Sequence, residues 1–167
     1  MMKRFLIILI AALTLGGCGI YSFTGTSIQP DVKSIVIDFF EYKALRVNPS
    51  LANDMTEELK NKFRRLTHLE QVEENGDLEI SGIITGYDVR AAAITANEVA
   101  AQNRLTVNVN INFTNNKHPE DNFENKSFSA YADYDSSNSL DAVESSLCAE
   151  IIEKIIEDVF NATVAQW

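Results

Sequence analysis

Strict alternation of apolar and polar residues over residues 105–113 constrains the fold of this chain more than any other feature of its sequence. Every odd-numbered residue there is apolar, and every even-numbered residue is Thr or Asn. Because successive side chains of a strand point to opposite faces, one face of this strand must lie on a core while the other meets water. Burial on one side only is typical of antiparallel sheets. The pattern therefore predicts a sheet that is covered on one face.

Two amphipathic helices are predicted to cover that face. Asn48 as N-cap and Pro49 at the first helical position mark the start of the first helix. Its apolar stripe is Leu51, Met55, Leu59, Phe63 and Leu66. The second helix starts after Ser139, with the stripe Val143, Leu147, Ile151, Ile155 and Val159. Each stripe predicts one buried helix face.

Further strands are predicted over residues 32–40, 78–89 and 123–134, with a possible short strand at 69–73. Gly82 and Gly86 suggest a bend or a close backbone approach in the second of these. The Ala-rich stretch 90–103 fits either a long loop or a weak helix. We therefore expect an α+β fold, a two-layer sandwich of two amphipathic helices on one mostly antiparallel four-stranded sheet.

The first residues of the chain have the pattern of an export signal. Lys3 and Arg4 precede an apolar run, and Gly16 and Gly17 precede Cys18. A basic start, a short apolar run and small residues before the cut are typical of a secretory signal peptide. The run is about half as long as a membrane span requires.

A cysteine directly after two glycines is also typical of a lipobox, in which the sulfur takes a diacylglycerol and the new amine is acylated after cleavage. The sequence predicts a signal peptide at 1–17, lipidation at Cys18, a tether at 18–31 and a domain at 32–167. The alternative is a plain signal peptide whose cleavage region happens to contain a cysteine.

The charge balance excludes general nucleic-acid binding. The net charge is −10, and loss of Lys3 and Arg4 with the signal would make it −12. Nucleic-acid binding needs Lys and Arg against phosphates. Cys148, beside Leu147 in an apolar segment, is predicted to be a small buried hydrophobe.

Catalytic and metal-binding patterns are missing from the sequence. His68 and His118 are isolated from each other and from Cys pairs, and no phosphate loop or nucleophile elbow occurs. We therefore expect no metal, no cofactor and no enzymatic activity.

Several stretches of the chain resemble LptE lipoproteins of the Bacteroidetes type. They lie in the same order and cover nearly all of the part that follows the signal. These stretches are residues 18–28, 32–37, 47–51, 56–60, 76–82, 103–109 and 164–167.

The resemblance implies a two-layer fold and a partner, the outer-membrane barrel LptD. LptE-like proteins sit inside that barrel from the periplasmic side, help it assemble, and assist delivery of lipopolysaccharide to the outer leaflet. Gly19 after the cysteine fits delivery to the outer membrane, since Asp there is the usual retention signal in enterobacteria.

Candidate contact residues follow from the resemblance. Asn108 and Asn110, on the polar face of the alternating strand, could meet a polar barrel interior, although a solvated face would look the same. Arg90 at a strand end and Lys117 in a hairpin turn are the nearest candidates for contact with lipopolysaccharide.

Two other function classes remain open on the sequence. A lipoprotein activator or pilotin that docks on a cell-wall synthase or secretin would need the same anchor and a similar small domain. The third reading is a periplasmic hydrolase whose active site the sequence does not reveal.

Overall fold

Three long strands and two helices make up most of the protein that the computed structural model describes, residues 28–92 and 101–164. The predicted signal peptide, Cys18, Gly19 and most of the stretch 90–103 lie outside the described residues. The elements in chain order are β1 Ser34–Ile37, β2 Glu41–Tyr42, α1 Leu51–Leu66, β3 Glu70–Gln71, β4 Leu78–Ala91, β5 Gln102–Asn115, a 3-10 turn Pro119–Asp121, β6 Phe123–Asp135 and α2 Leu140–Val164.

The sheet has the strand order β3-β1-β4-β5-β6, with β2 also pairing with β4. The long ladders β4–β5 and β5–β6 are antiparallel, whereas β1 pairs in parallel with β3 and β4, and β2 with β4. The α+β sandwich is confirmed, but the sheet is mixed and has six strands rather than four. The possible short strand at 69–73 is observed as β3, whereas β2 was not predicted, because its two residues are too few for a periodic pattern to show.

The core lies between the helices and one face of β4, β5 and β6. All five apolar residues of the alternating segment are at most 2% exposed. On α1, Leu51, Met55, Leu59 and Phe63 are fully buried, while Leu66 is 44% exposed, so the buried stripe ends one turn early. The buried residues of α2 include Leu147, Ile151, Ile155 and Val159. Both predicted helix faces are therefore confirmed.

The predicted start of the first helix is two residues early: the N-cap is Ser50 rather than Asn48, and the regular helix begins at Leu51 rather than at Pro49. The Asn48 side-chain oxygen accepts hydrogen bonds from the Ser50 N–H at 3.1 Å and the Leu51 N–H at 3.0 Å. These bonds satisfy backbone donors that a helix start leaves open.

Side chains of neighbouring segments pack directly against the backbone at Gly82 and Gly86. The Phe40 ring lies over Gly82, closer than a Cβ atom would allow. A Cβ on Gly86 would come within 2.5 Å of the Asn108 side chain. The predicted close approach is confirmed at both positions, and β4 has a register shift between Ile84 and Gly86.

Within the described residues, no helix combines the length and the hydropathy needed to cross a membrane.

Candidate functional site

The helices cover one face of the sheet, and the opposite surface, here called the open face, carries mostly polar side chains. The strand register places its residues side by side across β4, β5 and β6. They are Glu79, Ser81 and Ile83 of β4; Arg104, Thr106, Asn108, Asn110 and Asn112 of β5; and Ser127, Ser129, Tyr131 and Asp133 of β6.

Asn108 and Asn110 lie at the centre of the open face and are half-buried. Neither side-chain amide hydrogen-bonds to another residue in the described part of the chain. Asn112 differs, because its Nδ2 donates to Ser81 Oγ at 3.3 Å and its Oδ1 accepts from the Asn125 N–H at 2.8 Å. A carboxamide offers two donor hydrogens and an acceptor oxygen. Asn108 and Asn110 therefore present free hydrogen-bonding groups to whatever covers this face.

One end of the open face carries an ordered aromatic and ionic group. Arg104 donates two hydrogen bonds to the Asp133 carboxylate, at 2.7 and 2.8 Å. Its guanidinium lies 3.7 Å from the centre of the Tyr131 ring, and Tyr131 is 48% exposed. The hydrogen bond from Arg104 holds the pKa of Asp133 below its usual value. Such fork-shaped pairing fixes geometry as well as charge.

This group was not predicted from the sequence. The sequence signal that could have identified Arg104 is the alternation of β5, which places this residue on the polar face. Its partners come from β6, where the pairing register places Asp133 opposite Arg104 and Tyr131 opposite the neighbouring Thr106.

Arg90 and Lys117 lie far apart. Arg90 stands opposite Arg104 near the end of β4, whereas Lys117 follows Asn115, which pairs with Leu78 at the beginning of β4. The separation is nearly the whole length of β4, roughly 40 Å at a rise of about 3.3 Å per residue. The two side chains therefore cannot contact the same small headgroup.

Lys117 has a structural partner. Its Nζ lies 3.4 Å from Asp77 Oδ1, and Asp77 also accepts hydrogen bonds from the Lys33 and Ser34 N–H groups. Those bonds, the one from Lys33 foremost, lower the pKa of Asp77. Lys117 thus helps to fasten the hairpin turn to the start of β1. Arg90 is exposed, and within the described ranges it has no ion-pair partner.

A cavity of about 820 Å³ opens between α1 and α2, and its lining includes Asn48, Glu144 and Cys148. Tyr87 lies behind these residues, donates a hydrogen bond to Glu144, and accepts one from Asn48 Nδ2 at 3.4 Å. Burial raises the pKa of the Tyr87 hydroxyl and of the Cys148 thiol. Both groups are neutral at physiological pH, and a neutral buried thiol is a poor nucleophile. The predicted burial of Cys148 is confirmed.

Comparison with protein families gives one match over most of the chain. The family described as "LptE: Lipopolysaccharide-assembly" matches residues 32–163. Among the curated proteins, none matches this chain.

Solved structures share the fold at low sequence identity. A hypothetical protein from Chlamydia trachomatis is 9% identical with a TM-score of 0.51, covering 78% of this chain and 98% of its own. An uncharacterized lipoprotein B from Nitrosomonas europaea is 8% identical with a TM-score of 0.51, covering 77% of this chain and 79% of its own. At these identities the likeness concerns the fold alone.

Proposed function

Because this chain belongs to the LptE family of lipopolysaccharide-assembly proteins, we propose that it is an outer-membrane lipoprotein that partners an LptD-like β-barrel. In this role it plugs the barrel from the periplasmic side, supports barrel assembly, and assists transport of lipopolysaccharide to the outer leaflet. The observation that carries the proposal is the family match over residues 32–163.

The open face supports a role inside a barrel. The interiors of large transmembrane barrels are polar, so a plug needs a rigid surface that forms hydrogen bonds. Strands β4, β5 and β6 supply the rigidity, and the side-chain amides of Asn108 and Asn110 are free of partners among the described residues. We assign these two residues to the centre of the barrel contact.

The beginning of the chain supplies attachment in this proposal. Residues 1–17 are the signal peptide, Cys18 carries the lipid, and residues 18–31 are the tether of a domain that spans 32–167. One acyl chain binds a membrane only marginally, at about 0.8 kcal/mol per buried methylene, whereas several chains hold firmly. A triacylated Cys18 would therefore keep the domain at the membrane.

Contact with lipopolysaccharide is assigned to local groups, since the net charge, −10 for the whole sequence and −12 after loss of Lys3 and Arg4, opposes general binding of an anion. Of the two candidates, Arg90 is the stronger, because it is exposed on the same side of the sheet as Arg104. Lys117 is the weaker, because Asp77 already neutralises it. The protein acts here by binding and not as an enzyme.

A pull-down of the lipoprotein from detergent-solubilised outer membrane tests this function. An LptD-like barrel should be recovered as the main stoichiometric partner. Recovery of a cell-wall synthase or a secretin in its place would contradict the proposal and favour an activator or a pilotin.

A further inference from the structure

The loop between β2 and α1, residues 43–47 and here called the apolar loop, exposes aliphatic side chains close to one another. Leu45 is fully exposed and Val47 is 75% exposed, more than any other large apolar side chain that the structure describes. Arg46 stands between them, is exposed, and has no ion-pair partner in the described part of the chain. Adjacent exposed apolar residues, in contrast to isolated ones, are typical of interaction sites.

Hydrogen bonds hold the apolar loop in shape. The Lys43 N–H donates to the Ile84 carbonyl of β4 at 2.9 Å, and the Tyr42 hydroxyl donates to the Arg46 carbonyl. Asn48, which follows the loop, is buried. A loop that is already ordered loses little conformational freedom on binding. The apolar loop can therefore be inserted into a matching surface at low entropic cost.

The cavity between α1 and α2, here called the helix groove, has apolar and acidic lining residues. Its volume is about 820 Å³, in the range of cavities that take up a ligand. Ala149, Ile152 and Ile156 of α2 supply apolar surface. Asp54 of α1 and Asp141 of α2 also line the groove, and neither has an ion-pair partner among the described residues. A group of complementary chemistry carries aliphatic side chains beside a cation.

The acidic part of the helix groove lies next to the apolar loop. Asn48, ahead of α1, lies 3.7 Å from Cys148, and Phe63 near the end of α1 packs against Phe160 near the end of α2. The two helices therefore run side by side in the same direction, and their first turns lie at the same end of the groove. This end, here called the acidic end, is the one that the apolar loop leads into.

Carboxylates and cations are separated along the helix groove. Asp54 belongs to the first turn of α1 and Asp141 to the first turn of α2. The basic residues that line the groove, Lys62 and Arg65, lie further along α1, and each already pairs with a glutamate. The acidic end therefore has carboxylates that can receive a cation from outside.

We propose that two copies of this protein pair by each inserting its apolar loop into the acidic end of the other copy's helix groove. Leu45 then packs on the apolar surface of Ala149 and Ile152. The Arg46 guanidinium binds the Asp54 carboxylate, and such charge-assisted hydrogen bonds are among the stronger ones in proteins.

The position of the apolar loop beside the acidic end is the reason to assign both to a second copy. A two-fold axis that passes between the two features inserts both loops at once and makes every contact twice, as in other isologous interfaces. The interface is small, so we expect a dissociation constant in the micromolar range. The open face lies on the other side of the sheet, and the pairing does not depend on the barrel or on lipopolysaccharide.

Sedimentation equilibrium of the full chain, purified as cells process it and kept in a density-matched detergent with micelles in excess, tests the pairing. The native protein should form dimers as its concentration rises. Leu45→Ser changes a side chain that is fully exposed in the single copy, so it should weaken pairing at least about tenfold without unfolding the protein. Leu66→Ser is the matched control, because Leu66 is an exposed apolar residue outside the loop, and it should leave pairing unchanged.

A charge exchange locates the contact. Arg46→Glu and Asp54→Lys should each weaken pairing at least about tenfold, because each places like charges opposite one another. In an equal mixture of the two variants, the new carboxylate of one copy meets the new ammonium of the other, and the native Arg46 meets the native Asp54. The mixture should therefore pair about as tightly as the native protein, which a folding defect in either variant could not produce.

Three results would overturn the proposal. One is a native protein that stays monomeric at concentrations up to about 1 mM. Another is a mixture of the two charge variants that pairs no better than either variant alone. The third is a fluorophore on Leu45→Cys that vesicles of phosphatidylethanolamine shield while a rise in protein concentration does not, because a lipid surface would then be what covers the apolar loop.

Discussion

The two faces of strand β5 differ although they share one backbone. Toward the helices, Leu105, Val107, Val109 and Ile111 are completely buried. On the open face, Thr106 and the asparagines are half-buried, and the side-chain amides of Asn108 and Asn110 have no hydrogen-bond partner among the described residues. Burial of one large aliphatic side chain contributes about 1.5–3 kcal/mol, so the helix side supplies the stability. The open face can therefore be specialised for contact at little cost in folding.

The open face is itself uneven along its length. At the Asn112 end, hydrogen bonds to Ser81 and Asn125 already satisfy the side chain. At the other end, Arg104 and Asp133 satisfy each other. The centre, around Asn108 and Asn110, is where unsatisfied amides concentrate. This difference locates the expected partner contact more narrowly than the polar pattern of the strand does.

The largest expected effect comes from the helix side. Ile155 is completely buried on the central stripe of α2, and its truncation to Ala should lower the free energy of unfolding by about 2–5 kcal/mol. Glu153 on the exposed side of the same helix should change it by less than about 0.5 kcal/mol when replaced by Ala. Denaturant unfolding of both variants gives the comparison. Equal losses would mean that the helix face is assigned wrongly.

A smaller contrast separates two glycines of one strand. Gly82→Ala pushes a methyl group into the buried Phe40 ring, and overpacking of this kind should cost about 1–3 kcal/mol. Gly86→Ala meets only the Asn108 side chain on the open face, which can move away. Its effect on thermal unfolding should be clearly the smaller of the two. If Gly86→Ala is the more damaging change, the open face is more rigid than we infer.

On the open face, a double change of Asn108 and Asn110 to Lys should alter the unfolding free energy by less than about 0.5 kcal/mol per site. Association with the barrel should nevertheless fall, because two charges would replace free amides at the proposed contact. The matched control is Ser146→Lys with Asn161→Lys, which adds the same charge on the exposed side of α2. Equal losses of association in both variants would point to net charge as the cause.

The smallest expected effect is a pH dependence at the hairpin turn. His118 Nε2 lies 3.1 Å from Asp31 Oδ1, and this hydrogen bond raises the pKa of His118 and lowers the pKa of Asp31. The His118 contribution to stability is complete below its unfolded pKa of about 6.5 and disappears as pH rises through the folded value. The Asp31 contribution is complete above about pH 3.9 and disappears as pH falls through its lowered folded value.

His118→Gln should therefore lower the melting temperature at about pH 5.5 and have less effect at about pH 8.5. In an Asp31→Asn background the pH difference should shrink, with a remainder from Glu120, whose Oε1 lies 3.7 Å from His118 Nδ1 and also raises the pKa of His118. A loss that is the same at both pH values would show that His118 acts through packing rather than through its charge.

Periodic residues made much of this fold predictable. One face of β5 and one face of each helix are buried. A repeat within the local sequence, the alternation in β5 or the apolar stripes around Leu59 and Ile151, is sufficient to predict which face that is. The parallel pairing of β1 with β4 could not be predicted from the sequence, because the two strands are separated in the chain by α1 and no local pattern shows which strands pair. The exposure of Leu66 was also missed, since a stripe does not show where the opposing surface ends.

The sequence predicted which face of the sheet carries the candidate site, but it did not predict which of its side chains form ion pairs. The polar side of β5 identified Asn108 and Asn110. The sequence could not show that Lys117 is held by Asp77 or that Arg104 is held by Asp133, because both pairs join residues that are distant in the chain. The two basic candidates chosen from their sequence positions therefore differ: Lys117 is paired with Asp77, whereas Arg90 has no ion-pair partner among the described residues.

The central claim is that the centre of the open face contacts the barrel, and a photo-crosslinker at Asn110 in living cells tests it most directly. The account predicts a crosslinked product that contains the LptD-like barrel. A crosslinker at Glu153, on the exposed side of α2, serves as the reference position and should give much less of that product. Capture of the barrel from Glu153 but not from Asn110 would contradict the account, because the open face would then be merely solvated.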